Sequence, residues 1–394
     1  MRRIVFALYI LIQFAVSPGF GQNRSIAFIE KPWSEIIALA KTQDKLIFLD
    51  AYTTWCGPCK WIAANMFTND SIADFYNQKF ICAHFDMEKG EGPALSRAYQ
   101  VKAYPTLLFI NGNGEMVHKI VGAPQKVANY FEMGNIALTP GEGFAAYQKK
   151  FEEGNRDQKF MMKYFERLQG AYMPITEPLN QYFASQKEGE LLSRTNWEMI
   201  NRYVTEPESQ AFGYFFNHRK EYSKLYTFDS VDQKISSIFT QSLVNLARSR
   251  SFSETVYNEA KQKIRDINYE GAEKVFFISD LSVSSGEKFF ETACNGLDKW
   301  YSNDYSMLSR VASFFFKNTD DKKYLEKAAG WAKKSLELNS NPENNDIYAN
   351  LMFKLGNKNE AVKFEIIAIE LAKKEKVAVK EYEDNLKKFQ QDQK

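Results

Sequence analysis

Two cysteines three positions apart, Cys56 and Cys59, lie in the stretch TTWCGPCKW (53–61) of a 394-residue chain. That spacing can serve three kinds of chemistry: a redox-active dithiol, half of a zinc site, or a small structural disulfide. The chain has four cysteines, and the other two, Cys82 and Cys294, stand alone in sequence. Four are too few for a disulfide-rich scaffold. A zinc site needs four ligands, so it would have to recruit Cys82 and His84. A purely structural Cys56–Cys59 bridge closes so short a loop that it constrains an unfolded chain little. Cys82 and Cys294 are expected to be buried free thiols, the usual state of an unpaired cysteine in a core. Asp50, six residues before Cys56, falls inside an apolar run, where a carboxylate is costly to bury and titrates late.

The elements around these residues alternate. WSEIIALAKTQ (33–43) has helical spacing, and KLIFLDAY (45–52) is a continuous apolar run of the kind that forms a strand buried on both faces. The cysteine pair follows that strand and opens a helix running to about Phe67. Asn69 or Asp70 then caps a short helix around SIADFYN, KFICAHFDME (79–88) is a second buried strand, and EGPALSRAYQV (91–101) is helical. TLLFINGNGEMVHKIVG (106–122) is a hairpin turning at NGNG, and a last helix covers about Pro124 to Ile136. IAFIE (26–30) is β-rich enough to predict an additional short strand. Strands alternating with helices and ending in a hairpin imply an α/β sandwich with a mixed sheet.

After TPGEG (139–143) the pattern becomes almost wholly helical, with aromatic residues at helical spacing and breaks marked by Thr205 before Pro207 and by Asp229. KAAGWAKKSLEL (327–338) and EAVKFEIIAIEL (360–371) align without a gap at an offset of 33 residues. Between them, Tyr348, Ala349, Met352, Gly356 and Ala361 fit one helix-turn-helix unit in which small residues let two helices approach. This segment, 321–373, resembles a tetratricopeptide repeat, and 144–320 reads as degenerate helical repeats of the same kind.

FLDAYTTWCGPCKW together with VKAYPTLLFINGNGE resembles thioredoxin. MFTNDSIADFYN is similar to the periplasmic thioredoxin-like domain of the membrane reductant conductor DsbD. The resemblance covers about 24–138. It implies a thioredoxin-like sandwich, a mixed sheet flanked by helices, followed by an all-α helical-repeat domain. It implies that Cys56, at a helix N-terminus that favours a thiolate, attacks a substrate disulfide, and that Cys59, one turn on and shielded, resolves the mixed disulfide. Asp50 takes the family's role of proton acceptor and donor for Cys59. Gly57 and Pro58 set the tight geometry between the cysteines. Trp55 flanks the exposed sulfur, and Tyr104-Pro105 is the cis-proline element that offers backbone to a substrate. His84 falls near the position of a family lysine, across an insertion that contains EKGEGP. The Gly-Pro between the cysteines is that of reducing thioredoxins, so a protein-disulfide reductase is expected rather than an oxidase or isomerase. A helical-repeat binding scaffold with the sandwich as its docking module is the reading of another class.

The first residues describe an address. Arg2 and Arg3 precede a 13-residue apolar run (4–16), Ser17-Pro18 breaks it, and Gly19 and Gly21 precede Gln22. This is the layout of a signal peptide (1–21), and the run is shorter than the roughly 20 residues a membrane span needs. A periplasmic or secreted chain is therefore expected, with a sandwich over 22–138 and a helical region over 139–394. Lys and Arg total 51 against 49 Asp and Glu, and loss of Arg2 and Arg3 leaves the two balanced. Nothing in that balance points to nucleic acid. No dissolved cofactor is expected. The partners would be protein disulfides, a membrane or periplasmic thiol protein that donates electrons, and a protein held by the helical repeats.

Overall fold

A computed structural model describes residues 24–391. The signal-peptide reading falls outside these residues. The described chain forms two compact units that divide after Val204. Among the described residues no helix is long and apolar enough to cross a membrane.

The first unit runs α1 (Trp33–Gln43), β1 (Leu46–Tyr52), α2 (Gly57–Asn65), α3 (Asp70–Lys79), β2 (Phe80–Asp86), α4 (Gly92–Ala98), β3 (Thr106–Ile110), β4 (Met116–Val121), α5 (Val127–Leu138), α6 (Phe144–Glu152), α7 (Gln158–Gly170), α8 (Thr176–Ser185), α9 (Glu188–Leu191) and α10 (Arg194–Tyr203). The strands form one mixed sheet in the order β2-β1-β3-β4. β1 is parallel to β2 and antiparallel to β3, and β3 is antiparallel to β4. β1 is central and apolar on both faces because both faces are covered. Phe48, Phe80, Cys82, Leu107 and Phe109 pack toward Ile62 of α2, Tyr76 of α3 and Tyr130 of α5. Ile47, Leu49, Ile81 and Leu108 face Ile36 of α1 and Leu95 of α4. The hairpin turn is built as its residues predict. Asn111 Oδ1 accepts the N–H groups of Asn113 and Glu115, and Gly114 takes a positive φ of 81°.

One expected strand does not form. Residues 26–30 run beside β2 but are not part of the sheet. Only Ile29 N–H reaches a strand carbonyl, that of Cys82 at 2.8 Å. Ile26 N–H goes instead to Phe67 O, and Ala27 N–H to the Asn77 side chain. A side chain and a loop have taken donors that a ladder would need. The sheet also gains cover that the sequence did not announce: α6 and α7 pack against β4. β4 also carries His118, which is fully buried and stacked on Phe109. Burial first, and the Arg167 charge second, push its pKa down to about 3, so the ring is neutral.

The second unit is all helical: α11 (Gln210–Asn217), α12 (Arg219–Tyr226), α13 (Phe228–Arg248), α14 (Glu254–Asp266), α15 (Ala272–Val283), α16 (Gly286–Tyr301), α17 (Tyr305–Asn318), α18 (Lys322–Leu338), α19 (Pro342–Lys354), α20 (Lys358–Glu375) and α21 (Lys380–Gln391). Side-chain caps begin many of them, including Ser209, Asp304, Asp321, Asn341 and Asn357. Two expected starts move. The helix after Thr205 and Pro207 is capped by Ser209, and α13 is capped by Thr227 rather than begun at Asp229. α18, α19 and α20 pack in succession. Ala328, Ala349 and Ala361 are fully buried along them, and Gly356 supplies the positive φ (84°) between α19 and α20. Cys294, expected to be buried, is half-buried on α16 and free.

Candidate active site

Cys56 and Cys59 are joined in a disulfide with Cα atoms 5.3 Å apart. The local fold follows from three residue choices. Cys56 has extended backbone angles and is the N-cap of α2. Its Sγ accepts the N–H of Cys59 at 3.1 Å, and Pro58 sits in the first turn, where a missing N–H does no harm. One of the free donors of the helix end is thus aimed at the Cys56 sulfur, where it and the macrodipole would stabilise a thiolate once the bond is reduced. Gly57 and Pro58 are exposed. A Cβ on Gly57 would meet nothing within 4 Å, so the space above it is open to an approaching chain.

The exposed sulfur expected at Cys56 requires correction. Cys56 retains only 3% of its accessible surface and Cys59 4%. The cap folds the Cys56 side chain back over the first turn toward Cys59, and exposure passes to Trp55, which is 64% accessible. Trp55 is nevertheless held. Its indole N–H donates to both carboxylate oxygens of Glu88, at 3.0 and 3.1 Å, and its ring meets Tyr104 edge-on at 5.9 Å. The Tyr104–Pro105 peptide bond is cis. Tyr104 is half-buried, Pro105 is buried, and Pro105 O accepts the N–H of Gly122 beside β4.

Asp50 lies on β1, opposite His84 of β2 and Leu107 of β3. It lies two positions from Phe48 along the strand and so shares the face of the sheet that carries α2. Asp50 is buried and its Oδ1 has no hydrogen-bond partner. Desolvation raises its pKa to about 7, which poises it to exchange a proton near neutrality. His84, which falls near the position of a family lysine, is a packed ring beside the strand. The imidazole stacks on Phe28 at 4.7 Å and lies 5.6 Å from Tyr52. Burial lowers its pKa against a weaker opposing pull from Glu30, so it is neutral at pH 7. Cys82 stays apart from the pair. It is buried on β2 with Sγ directed at Tyr76 O, and burial pushes its thiol up to about 12.

Two contributors escaped the sequence reading. Glu88 belongs to the loop after β2, whose turn is fixed by Asp86 Oδ1 accepting the Glu88 N–H. The only hint was that this loop leaves the same end of the sheet as the cysteine pair. Tyr130 on α5 is fully buried, and its pKa is raised by burial and then by the Asp50 charge, which places the two groups within electrostatic reach. Tyr130 lies within the last helix that the sequence predicts, and no local pattern linked it to Asp50.

Comparison with known proteins agrees with this geometry. Residues 26–132 match the thioredoxin family model. Thioredoxin-1 of Drosophila melanogaster is 36% identical over 86 residues, 22% of this chain and 76% of that protein. Thioredoxin-1 of Saccharomyces cerevisiae is 39% identical over 84 residues, 21% of this chain and 75% of that protein. A solution structure from Bacteroides thetaiotaomicron, provisionally assigned as a disulphide-isomerase, is 42% identical. It covers 30% of this chain and 98% of its own, at a TM-score of 0.28. With the cysteine pair on a helix N-terminus, a cis-proline loop beside it and relatives matched over three quarters of their length, the chain belongs to the thioredoxin family, as a thiol–disulfide oxidoreductase with a Cys56–Cys59 disulfide.

Proposed function

We propose that the chain is an exported protein-disulfide reductase. The observation that carries the chemical reading is the buried carboxyl of Asp50, with its unpartnered Oδ1, on the strand that leads into the cysteine pair. A carboxyl oxygen kept there without a partner costs stability, and proton handling for Cys59 accounts for it. In the reduced protein the Cys56 thiolate attacks one sulfur of a substrate disulfide, forming a mixed disulfide and releasing one substrate thiolate. Cys59 gives its proton to Asp50 and attacks Cys56 Sγ. The second substrate sulfur leaves as a thiolate, and two electrons have passed to the substrate. The bonded pair in the structure is the oxidised state that this cycle leaves behind. Gly57-Pro58, the dipeptide of reducing thioredoxins, supports the reducing direction.

The charged start, apolar run and small-residue exit of residues 1–21 support export, with the mature chain beginning near Gln22. Outside the cytoplasm the electrons would come from another thiol protein of the membrane or periplasm, the setting of the DsbD-like domain that the segment after α2 resembles. The 33-residue offset between 327–338 and 360–371 supports a tetratricopeptide-like reading of the final helices. Buried alanines on α18, α19 and α20 add to that support. Stacked helices of that kind hold protein partners.

Trapping tests the cycle. Cys59→Ser leaves the attacking sulfur but removes the resolving one, so mixed disulfides with natural substrates should accumulate in the exporting host. Cys56→Ser should accumulate none. If Cys59→Ser traps no protein on non-reducing gels, the reductase reading fails.

A further inference from the structure

α12 and α13 meet at a single joint residue, Thr227, with φ 72° and ψ 147°. That region is rarely adopted by a β-branched residue. Beside the joint lies a cleft of about 350 Å³. Its floor is apolar: Val231 and Ile235 of α13 are buried, and the Tyr269 ring closes one end, its hydroxyl donating to Asp232 Oδ1 at 2.6 Å. At the mouth Phe228 is 62% exposed, an unusual position for a phenyl ring in water. Along the α12 side stand three cations. Arg219 is committed within the fold, its guanidinium lying 4.2 Å over the Phe216 ring and donating to Phe216 O. Lys220 and Lys224, one turn apart, are exposed and form no ion pair among the described residues. The lining also includes Asp232, already bonded to Tyr269, and Glu270.

We propose that this cleft binds a short acidic, apolar segment of a partner protein, with an apolar side chain on the Val231–Ile235 floor and a flanking carboxylate at Lys220 and Lys224. The volume suits one or two side chains. The lip discriminates between ligand classes. A carboxylate attached to a plain acyl chain would satisfy the lysines, but its remaining length would find only a short floor and the Glu270 carboxylate. A peptide brings main-chain N–H groups that Glu270 can accept, beside the acidic side chain that the lysines attract. This site makes no use of the cysteine pair, so it stands whether or not the reductase reading does.

The test uses the full-length chain with Cys56–Cys59 oxidised and a fluorescein-labelled octapeptide alternating Asp with Leu and Phe, followed by fluorescence anisotropy. Saturable binding is expected, weaker in high salt because exposed charges are screened. Lys220→Glu combined with Lys224→Glu should weaken it by about tenfold or more, and Phe228→Ala by about threefold or more, amounts within reach of peripheral charges and one aromatic contact. All three side chains are exposed, so an unchanged thermal midpoint should accompany the loss. Should the glutamates disturb folding, the paired Lys→Gln changes must still weaken binding. Equal affinity for the same peptide with Lys in place of Asp would overturn the proposal, as would indifference to all the variants. No saturable binding would also overturn it, as would displacement of the peptide by decanoate at equal concentration, which would make this an acyl-carboxylate site.

Discussion

Asp50 shows how much a single residue can disclose. A carboxyl within KLIFLDAY was legible as an anomaly because it sits among Ile47, Phe48, Leu49 and Ala51, and the structure gives that anomaly a buried side chain with an unpaired Oδ1. Its folded pKa, about 7, lies above the ordinary 3.8. For an acid shifted in that direction the unfolded chain ionises first. Its contribution to stability is therefore intact below about pH 4 and is lost as pH rises toward 7. Asp50→Asn should remove this loss. Denaturant unfolding should find the variant more stable than the parent by roughly 3 kcal/mol at pH 8, with a much smaller gap at pH 5. The same change should slow reduction of a protein disulfide by about 10²–10⁴-fold, the usual range for a lost proton-transfer group. A variant less stable than the parent with unchanged turnover would show that Asp50 has another task. Glu88 was not legible in this way. Its bonds to Trp55 span 33 residues between two loops, and loop-to-loop contacts leave no local periodicity.

At the level of elements, legibility tracked how local each signal was. The strand runs, the NGNG turn and the Asn69 cap depend on residues within a few positions of one another, and they form where the sequence places them. Residues 26–30 failed because a distant side chain, Asn77, competes for their backbone. The start of α13 moved because Thr227 Oγ1 accepts the Ser230 N–H, whereas Asp229 lies inside the first turn. Buried Glu365 on α20 belongs to the same class of surprise. Burial and then the neighbouring Asp346 carboxyl of α19 push its pKa up to about 9. Glu381 of α21 adds to that rise, and Asp346 also accepts hydrogen bonds from Asn350 and Asn385. The two carboxyls attract only while they share a proton. Stability should therefore fall as pH rises from about 4.5, the ordinary value, toward 9. Glu365→Gln keeps the volume and a donor, and should raise stability by roughly 2 kcal/mol at pH 8. Denaturant unfolding at pH 5 and pH 8 checks this; a gain no larger at pH 8 than at pH 5 would contradict it.

For the whole molecule, composition correctly led to an α/β sandwich followed by helices, because alternation and its loss at residue 139 are visible without any long-range contact. The cover that α6 and α7 give to β4 was invisible, since nothing in a helical pattern names the surface it will bury. It has a practical consequence within the first unit. A fragment ending at Leu138 would uncover Val117 and Ile120 on β4, whereas one ending at Val204 keeps them covered. The 22–138 fragment should unfold at least about 8 °C below 22–204 in circular-dichroism melts, equivalent to losing a kcal/mol or two in a domain of this size, and should aggregate through its bared edge strand. Equal midpoints would show that these helices do not support the sheet. The function turns on the direction in which electrons move through Cys56 and Cys59. The reduction potential of that pair in the full-length protein, measured by equilibration with defined glutathione or dithiothreitol buffers, tests it most directly. A reductase requires a value near that of reducing thioredoxins, about −270 mV, whereas a value between about −180 and −120 mV, the range of isomerases and oxidases, would contradict it.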